Sequence, residues 1–139
     1  MGNKRLRNMS WEDYGISKYR YKELKAFCLQ YDEKKEKISY GLKASQGGGG
    51  SKYSTGSHTE RQALKNAQYS KDVSMIEAAA VKANKAIAQY ILKSVTQDLA
   101  YEYIMYDEKL GKIPVGKTDF YAYRKLFYFY LDKMKLGTN

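Results

Sequence analysis

The chain has 139 residues and a formal net charge of +10 at neutral pH, with 43% hydrophobic and 29% charged residues. This length suffices for one domain with a modest core but not for two ordinary domains, and the composition excludes wholesale disorder. One cysteine and one histidine exclude an internal disulfide framework and a zinc site built from the usual ligands.

Residues 1–16 predict a flexible basic N-terminal arm that carries Lys4, Arg5 and Arg7. No apolar segment follows its opening M-G-N-K-R-L-R-N, and no apolar run in the chain approaches the roughly 18 residues that cross a bilayer. We therefore expect no membrane partner and a cytoplasmic location. The excess of positive charge by itself favours nucleic acid, an anionic membrane surface or an acidic protein as the partner.

The next segment predicts a first helix that begins after Ser17, a suitable N-cap residue, and reads K-Y-R-Y-K-E-L-K-A-F-C-L-Q-Y. Its apolar stripe at helical spacing consists of Tyr21, Leu24, Cys28 and Tyr31. This position makes Cys28 a buried structural thiol rather than a nucleophile. Asp32 either caps a second, highly charged helix or lies in a continuation of the first.

Residues 45–57 predict a disordered Gly-rich loop, because four consecutive glycines lose too much backbone entropy to order alone. After it, two overlapping capping boxes pair Ser57 with Glu60 and Thr59 with Gln62, and they predict a helix from about Glu60. The longest helix is predicted over 71–94 as scaffold. One of its faces carries Val73, Ile76, Ala80, Ala83, Ile87, Tyr90 and Ile91.

The last part of the chain predicts a shorter helix capped by Thr96, a turn around Pro114, and a final helix capped by Thr118. By propensity alone, Y-E-Y-I-M-Y at 101–106 is also compatible with a strand. The whole pattern predicts an all-α fold, with a single helical domain of about five helices over 17–136.

The stretch G-K-I-P-V-G-K-T over 111–118 matches the phosphate-binding loop of nucleotide hydrolases in its two glycines, its lysine and its threonine. A working loop of this kind follows a buried strand and belongs to a parallel sheet with further strands. Only 21 residues follow Thr118, and they read as one helix. We therefore interpret the match as accidental.

Residues 95–135 instead predict a helix-turn-helix unit, whose second helix enters the major groove of DNA with its N-terminal half. A stripe of Phe120, Phe127, Leu131 and Met134 is suited to pack on the preceding helices. Lys117, Tyr121 and Lys125 lie on other faces near the helix start, where DNA-reading residues are found. The alternative is an aromatic helix that only completes the core of a small all-α domain.

The same residues resemble a known family. The segments that carry this resemblance are V-T at 95–96, A-Y-E-Y-I at 100–104, P-V-G-K at 114–117 and D-F-Y-A-Y-R-K-L-F-Y-F-Y-L at 119–131. Further upstream it covers C-L-Q-Y-D-E-K-K at 28–35, S-H-T-E-R-Q-A at 57–63 and V-S-M-I-E-A-A-A at 73–80. From about Tyr19 to Leu131, the chain resembles the RinA/ArpU-like regulators of late genes in phages and prophages of Gram-positive bacteria.

This resemblance implies a C-terminal helix-turn-helix like that of a sigma factor, and action in the cytoplasm of a host bacterial cell. The promoter-reading positions that it implies are Lys117, Thr118, Asp119, Tyr121, Arg124 and Lys125. Asp119 either accepts a hydrogen bond from a cytosine amino group or serves only as a helix-start carboxylate. The basic arm would add phosphate contacts through Lys4, Arg5 and Arg7.

The leading hypothesis is thus a DNA-binding transcription regulator with double-stranded DNA as its partner, and with host RNA polymerase and a second copy of the chain as further candidates. The alternative is a phage protein-binding module, such as a small packaging subunit, a polymerase-binding factor or an inhibitor of a host defence protein. Exposed tyrosines would then anchor a protein interface. We expect no enzymatic activity and no cofactor, because no nucleophile–base pair or metal cluster is visible in the sequence.

Overall fold

In the computed structural model, the protein has an all-α fold with one short β-hairpin, which confirms the predicted fold class. The structure describes residues 4–46 and 56–137, with the backbone alone for 40–46 and 56–59. The helices and strands are α1 (Lys18–Leu29), α2 (Tyr31–Gln46), α3 (Gly56–Ala83), α4 (Ala88–Gln97), α5 (Tyr101–Ile104), β1 (Tyr106–Asp107), β2 (Gly111–Lys112) and α6 (Lys117–Leu136). None of the helices in these described ranges has the length and apolar character needed to cross a membrane.

Residues 4–16 do not form the flexible arm that the sequence predicted, because they fold back onto the helices. A 3₁₀ turn, Leu6–Asn8, packs against α6. Trp11 packs half-buried against the core, and Tyr14 and Ile16 are buried within it. These apolar side chains supply the burial that holds the segment in place, whereas the prediction had weighed only its basic charges.

The beginning of α1 agrees with the prediction, since the Ser17 hydroxyl accepts a hydrogen bond of 3.1 Å from the backbone N–H of Arg20. Gln30 separates α1 from α2, so the charged segment that follows is a second helix. Asp32 lies in the first turn of that helix and is not its cap. The predicted apolar stripe is confirmed for Leu24, Cys28 and Tyr31, which are buried, and Tyr21 packs against the same core.

The helix α3 is one continuous element of 28 residues that joins two segments of the prediction and begins at Gly56, upstream of Glu60. The centre of the predicted Gly-rich loop, 47–55, lies outside the described residues. A buried ion pair between Lys34 Nζ and Asp72 Oδ2, at 2.9 Å, joins α2 to α3. Gln68 donates to the other carboxylate oxygen, also at 2.9 Å, so both oxygens of Asp72 are satisfied.

The helix predicted over 71–94 is interrupted at Asn84, which has an extended backbone with φ of −167° and ψ of 106°. Its side-chain oxygen accepts a hydrogen bond from the backbone N–H of Ala86 at 2.9 Å and caps a 3₁₀ turn, Lys85–Ile87. Asn competes with helical hydrogen bonding in this way, which explains the break. The predicted buried face is nonetheless confirmed from Val73 to Ile91.

The helix-turn-helix predicted over 95–135 is not formed as expected. Thr96 caps no helix, because it lies within α4 and its hydroxyl donates to the backbone carbonyl of Leu92 at 2.7 Å. The helix α4 ends at Gln97, and its C-cap residue, Asp98, adopts a left-handed conformation. A helix-turn-helix joins its helices by three or four residues. Here α5 is a single turn, and residues 105–116, including the antiparallel hairpin, separate it from α6.

The helix α6 runs through the centre of the protein and is contacted by α1, α3, α4, α5 and the 3₁₀ turn Leu6–Asn8. Its predicted apolar stripe is confirmed, since Phe120, Phe127 and Leu131 are fully buried and Met134 packs against the core. The helix begins at Lys117, two residues before the expected start at Asp119, and Thr118 is not its cap. Most of its circumference is therefore covered, and its first turn is one of the parts that remain exposed.

Candidate nucleic-acid interface

The first turn of α6 lies against residues 4–9, so the two groups of predicted DNA-binding residues come together although more than 100 positions separate them. Arg7 Nη2 lies 3.2 Å from Asp119 Oδ1. Lys125 Nζ donates to the backbone carbonyl of Met9 at 3.0 Å. We call the exposed surface formed here by Lys4, Arg5, Arg7, Lys117 and Thr118 the basic face.

A reciprocal pair of hydrogen bonds between Ser10 and Asp13 fixes the turn behind the basic face. The backbone N–H of Asp13 donates to the Ser10 hydroxyl at 3.0 Å, and the backbone N–H of Ser10 donates to the Asp13 carboxylate at 2.8 Å. Lys4 Nζ lies 3.0 Å from the same carboxylate. These contacts, led by the Ser10 N–H, lower the pKa of Asp13 to about 2, so its charge persists at neutral pH.

The start of α6 offers backbone donors and a cation to an anion. Gly116 is the N-cap, and as a glycine it has no side chain to accept a hydrogen bond from the first turn. The N–H groups of the first turn have no partner within the helix. Lys117 Nζ lies 2.6 Å from Glu102 Oε2, and this pairing raises the pKa of Lys117 and lowers the pKa of Glu102.

The segment that matches the phosphate-binding loop, residues 111–118, lies in this region. It is not part of the parallel sheet that a phosphate-binding loop requires. Gly111 lies in β2, which pairs antiparallel with β1 in a hairpin of two residues per strand. The described residues contain no parallel sheet in which such a loop could sit. They also bring together no three His, Cys, Asp or Glu side chains that could hold a metal ion.

The other three predicted reading residues, Tyr121, Arg124 and Lys125, are half-buried and engaged within the protein. The Tyr121 hydroxyl accepts a hydrogen bond from the backbone N–H of Tyr101 at 2.9 Å. The Arg124 guanidinium lies 5.7 Å from the centre of the Tyr121 ring and donates to the Ser94 hydroxyl at 3.3 Å. The structure therefore does not present these side chains on a free helix face, as a recognition helix would.

The charges of the basic face are partly balanced by carboxylates at its edge. Lys4, Arg7 and Lys117 each have an acidic neighbour, whereas Arg5 has none among the described residues. The Arg7–Asp119 and Lys117–Glu102 pairs are about half exposed on both sides. Exposed ion pairs contribute little to stability, so a phosphate can replace these carboxylates at small cost.

A second exposed surface lies on α5 and the hairpin and is aromatic rather than basic. Tyr103 is 72% exposed, Tyr106 is 66% exposed and Leu110 is 47% exposed. Tyrosine is enriched among the residues that anchor protein interfaces. We call these three residues the tyrosine patch.

Comparison with known proteins gave no match to a family model, to a curated protein or to a solved structure.

The sequence reasoning missed the residues that connect the two parts of the site. Trp11, Tyr21 and Tyr128 form an aromatic cluster behind the basic face. Tyr21 was predicted only as part of the apolar stripe of α1, and neither Trp11 nor Tyr128 was singled out. One signal was available, since S-W-E-D over 10–13 has the Ser and acidic spacing of a capping box. That pattern indicates an ordered turn where a loose arm was predicted.

Proposed function

We propose that the protein binds double-stranded DNA through the basic face and acts as a transcription regulator. The observation that carries this proposal is the contact of Arg7 with Asp119, which joins the basic N-terminal segment to the first turn of α6. Two groups of basic residues from the two ends of the chain thereby form one surface. The net charge of +10 supports the same conclusion, because DNA-binding domains gain most of their affinity from phosphate neutralisation.

In this proposal the first turn of α6 approaches the duplex end-on. Lys117, Thr118 and the free N–H groups of that turn contact a phosphate or the edge of a groove. Arg5 and Arg7 contact neighbouring phosphates. Because the rest of α6 is held in the core, base reading is limited to the few side chains of its first turn, and the affinity is mainly electrostatic.

The resemblance to RinA/ArpU-like proteins supports a more specific role. It suggests a phage or prophage regulator that acts on the promoters of late genes in a bacterial host. Host RNA polymerase is then a second partner. It binds a surface of the protein that does not contact the DNA. A dimer would present two basic faces, and sedimentation of the protein with and without DNA measures this.

The test begins with selection of bound sequences from a random duplex library. The affinity for an enriched sequence and for its scrambled version is then measured by fluorescence anisotropy at low and at physiological salt. We expect binding that weakens steeply with salt and a preference for the enriched duplex that persists at physiological salt. Equal affinity for both duplexes, lost at physiological salt, contradicts the regulator, and absence of binding contradicts the whole proposal.

Matched variants assign the binding to the basic face. Arg5→Gln and Lys117→Gln should each weaken binding to all duplexes alike and lower the salt slope by about one. Lys65→Gln is the control, because it removes the same charge from the exposed surface of α3. If Lys65→Gln weakens binding as much as Lys117→Gln does, the protein binds DNA through its net charge and not through this face.

The tyrosine patch supports a second candidate, the protein-binding module. The high exposure of Tyr103 and Tyr106 is the observation that favours it, since tyrosine often anchors protein interfaces. Purified RNA polymerase from a Gram-positive host is the defined partner to titrate. Stoichiometric binding that Tyr106→Ala abolishes and Lys117→Gln leaves unchanged would assign this patch to the polymerase.

A further inference from the structure

Residues 4–14 form a unit whose hydrogen bonds lie largely within it, and we call this unit the strap. Ser10 and Asp13 exchange the two hydrogen bonds described above, and Lys4 pairs with the same carboxylate. The backbone N–H of Tyr14 donates to the Ser10 carbonyl at 3.3 Å. A segment that satisfies its own polar groups can move away from its neighbours without losing those bonds.

Gly15 joins the strap to the rest of the protein and has a left-handed backbone conformation, with φ of 72°. An added Cβ would meet no atom within 4 Å, so the conformation and not close packing favours glycine here. The next residue, Ile16, is 3% exposed, and Ser17 caps α1, so the chain is fixed in the core directly after Gly15. Gly15 is therefore placed as a hinge between the strap and a fixed helix.

The contact between the strap and α6 contains two buried hydroxyl groups without a hydrogen-bond partner. Tyr14 of the strap is 6% exposed, and its ring centre lies 5.0 Å from that of Phe129. Tyr128 of α6 is 1% exposed, and its ring centre lies 6.0 Å from that of Trp11. Neither hydroxyl has a partner of normal geometry among the described residues. Each of these groups disfavours the closed arrangement, because water would satisfy it.

The strap also leaves a gap where it crosses α6. A half-open pocket of about 130 Å³ lies there, and it is lined by Trp11, Tyr21, Tyr121, Arg124, Lys125 and Tyr128. Protein interiors contain few voids larger than a water molecule, so the strap is packed less well than the core. The contacts that hold it are correspondingly weak, since Met9 and Trp11 are only half-buried and the Arg7–Asp119 pair is about half exposed on both sides.

We propose that the strap moves away from α6 about Gly15, and that duplex DNA binds this open form. Opening releases Arg7 from Asp119, and it releases Lys125 from the backbone carbonyl of Met9. Both cations then contact phosphates, so DNA binds the open form more tightly than the closed form, and this difference shifts the equilibrium. The inference rests on the proposed function, because it states how the basic face is regulated.

Without DNA the closed form predominates, because opening exposes the rings of Trp11 and Tyr14 to water. Hydration of the two unpaired hydroxyl groups offsets part of this cost. A substitution that changes the contact of the strap without changing any charge should therefore alter the affinity for a duplex. Binding by charge alone, with the strap always closed, predicts no such effect.

Trp11 is the one tryptophan of the chain, so 5-fluorotryptophan places a single ¹⁹F probe on the strap. The ¹⁹F resonance of the full chain is recorded alone and with saturating enriched duplex, and a free peptide of residues 4–14 gives the position of the open form. We expect the resonance to move towards the peptide position when the duplex binds. A resonance that stays in place at saturation, or moves away from the peptide position, overturns the proposal.

Two variants of unchanged charge should shift the equilibrium in opposite directions. Met9→Ala shortens an apolar side chain of the strap that packs against the core, so it favours the open form and raises duplex affinity several-fold. Tyr14→Phe removes an unpaired hydroxyl, so it favours the closed form and lowers duplex affinity several-fold. Leu136→Ala, at an exposed position of α6, is the control and should leave the affinity unchanged. Unchanged affinity in both strap variants, with folding confirmed by circular dichroism, overturns the proposal.

Tyr90→Phe is the matched control for the hydroxyl group of Tyr14. Tyr90 is 5% exposed, and its hydroxyl donates to the backbone carbonyl of Gly111 at 2.7 Å. Loss of this bonded hydroxyl should lower the melting temperature, whereas Tyr14→Phe should leave it unchanged or raise it. An equal decrease in the two variants would show that the Tyr14 hydroxyl is satisfied in the closed form, and it would overturn the proposed cause of opening.

Failure of this proposal differs from failure of the proposed function. If a duplex binds and the ¹⁹F resonance does not move, the strap proposal fails and the regulator proposal stands. If no duplex binds, the regulator proposal fails, and DNA is not the ligand of the open form. Opening itself is then decided in the free protein by Met9→Ala, whose resonance should lie closer to the peptide position than that of the unchanged chain.

Discussion

Both halves of α6 form ion pairs, but the pairs of the N-terminal half are exposed to solvent and the pair of the C-terminal half is buried. In the N-terminal half, the pairs of Lys117 with Glu102 and of Asp119 with Arg7 are open to water on both sides. In the C-terminal half, Asp132 is 4% exposed and pairs with Arg20 at 2.6 Å. The ion pairs of one helix are thus exposed at its start and buried near its end.

The difference shows that burial, rather than the presence of an ion pair, decides what a contact contributes. Water and salt screen an exposed pair, so its loss changes stability little. Removing one partner of a buried pair leaves the other charge without water or counter-ion, which is strongly unfavourable. The ion pairs of α6 that contribute to stability should therefore lie in its C-terminal half, and those that affect affinity for an anionic partner should lie in its first turn.

The largest expected effect is on the apolar contacts of the C-terminal half. Phe127 is fully buried in the middle of α6, so Phe127→Ala should lower the free energy of unfolding by about 3–5 kcal/mol. Urea denaturation followed by circular dichroism measures this. Leu136→Ala, which truncates a 59% exposed side chain of the same helix, is the control and should change stability by less than about 0.5 kcal/mol. Equal losses in the two variants would contradict the central position of α6.

The next effect is on the buried ion pair. Asp132→Ala should lower the free energy of unfolding by about 3 kcal/mol, because the Arg20 guanidinium then remains partly buried beside an apolar side chain. Glu23→Ala is the matched control, since Glu23 is 69% exposed and lies 3.7 Å from the same guanidinium. A loss for Asp132→Ala no larger than the loss for Glu23→Ala would place the two pairs in the same class and remove the contrast between the halves of α6.

The fold was predictable wherever apolar periodicity marks the buried face of a helix. The stripes of α1 and α6 and the buried face from Val73 to Ile91 follow from three- and four-residue spacing alone. The helix boundaries were less predictable. Asn84 interrupts an otherwise regular apolar pattern through its side-chain hydrogen bond to Ala86, and periodicity contains no sign of that bond.

The candidate site was predictable in its residue types but not in its arrangement. Basic residues at the chain start and near Lys117 were both identified, yet their contact depends on Trp11, Tyr14 and Ile16 packing onto the helices. The prediction of a free recognition helix missed the hairpin before α6, whose strands have only two residues each. Strands this short leave no periodic pattern to detect.

Asp119 lies in the exposed first turn of α6. Its substitution should have the smallest effect on stability and the most informative effect on DNA binding. Asp119→Asn removes the partner of Arg7 and a favourable carboxylate of the first turn, so the free energy of unfolding should fall by less than about 1 kcal/mol. If the basic face binds DNA, the same change frees Arg7 for a phosphate. Affinity for all duplexes should then rise, and the salt slope should become steeper by about one.

Asp119→Asn also decides between the two roles open to this carboxylate. As a reader of cytosine, Asp119 would lose its hydrogen bond to the base, so affinity would fall and the preference at one position would disappear. As the intramolecular partner of Arg7, it competes with DNA, and its removal strengthens binding without changing the preference. Glu60→Gln, which removes the same charge from the exposed surface of α3, corrects for the change in net charge. If the affinity for DNA rises more in Asp119→Asn than in Glu60→Gln, Asp119 acts as the intramolecular partner of Arg7. The additional gain then comes from the contact at the start of α6 and not from the overall electrostatic field of the protein.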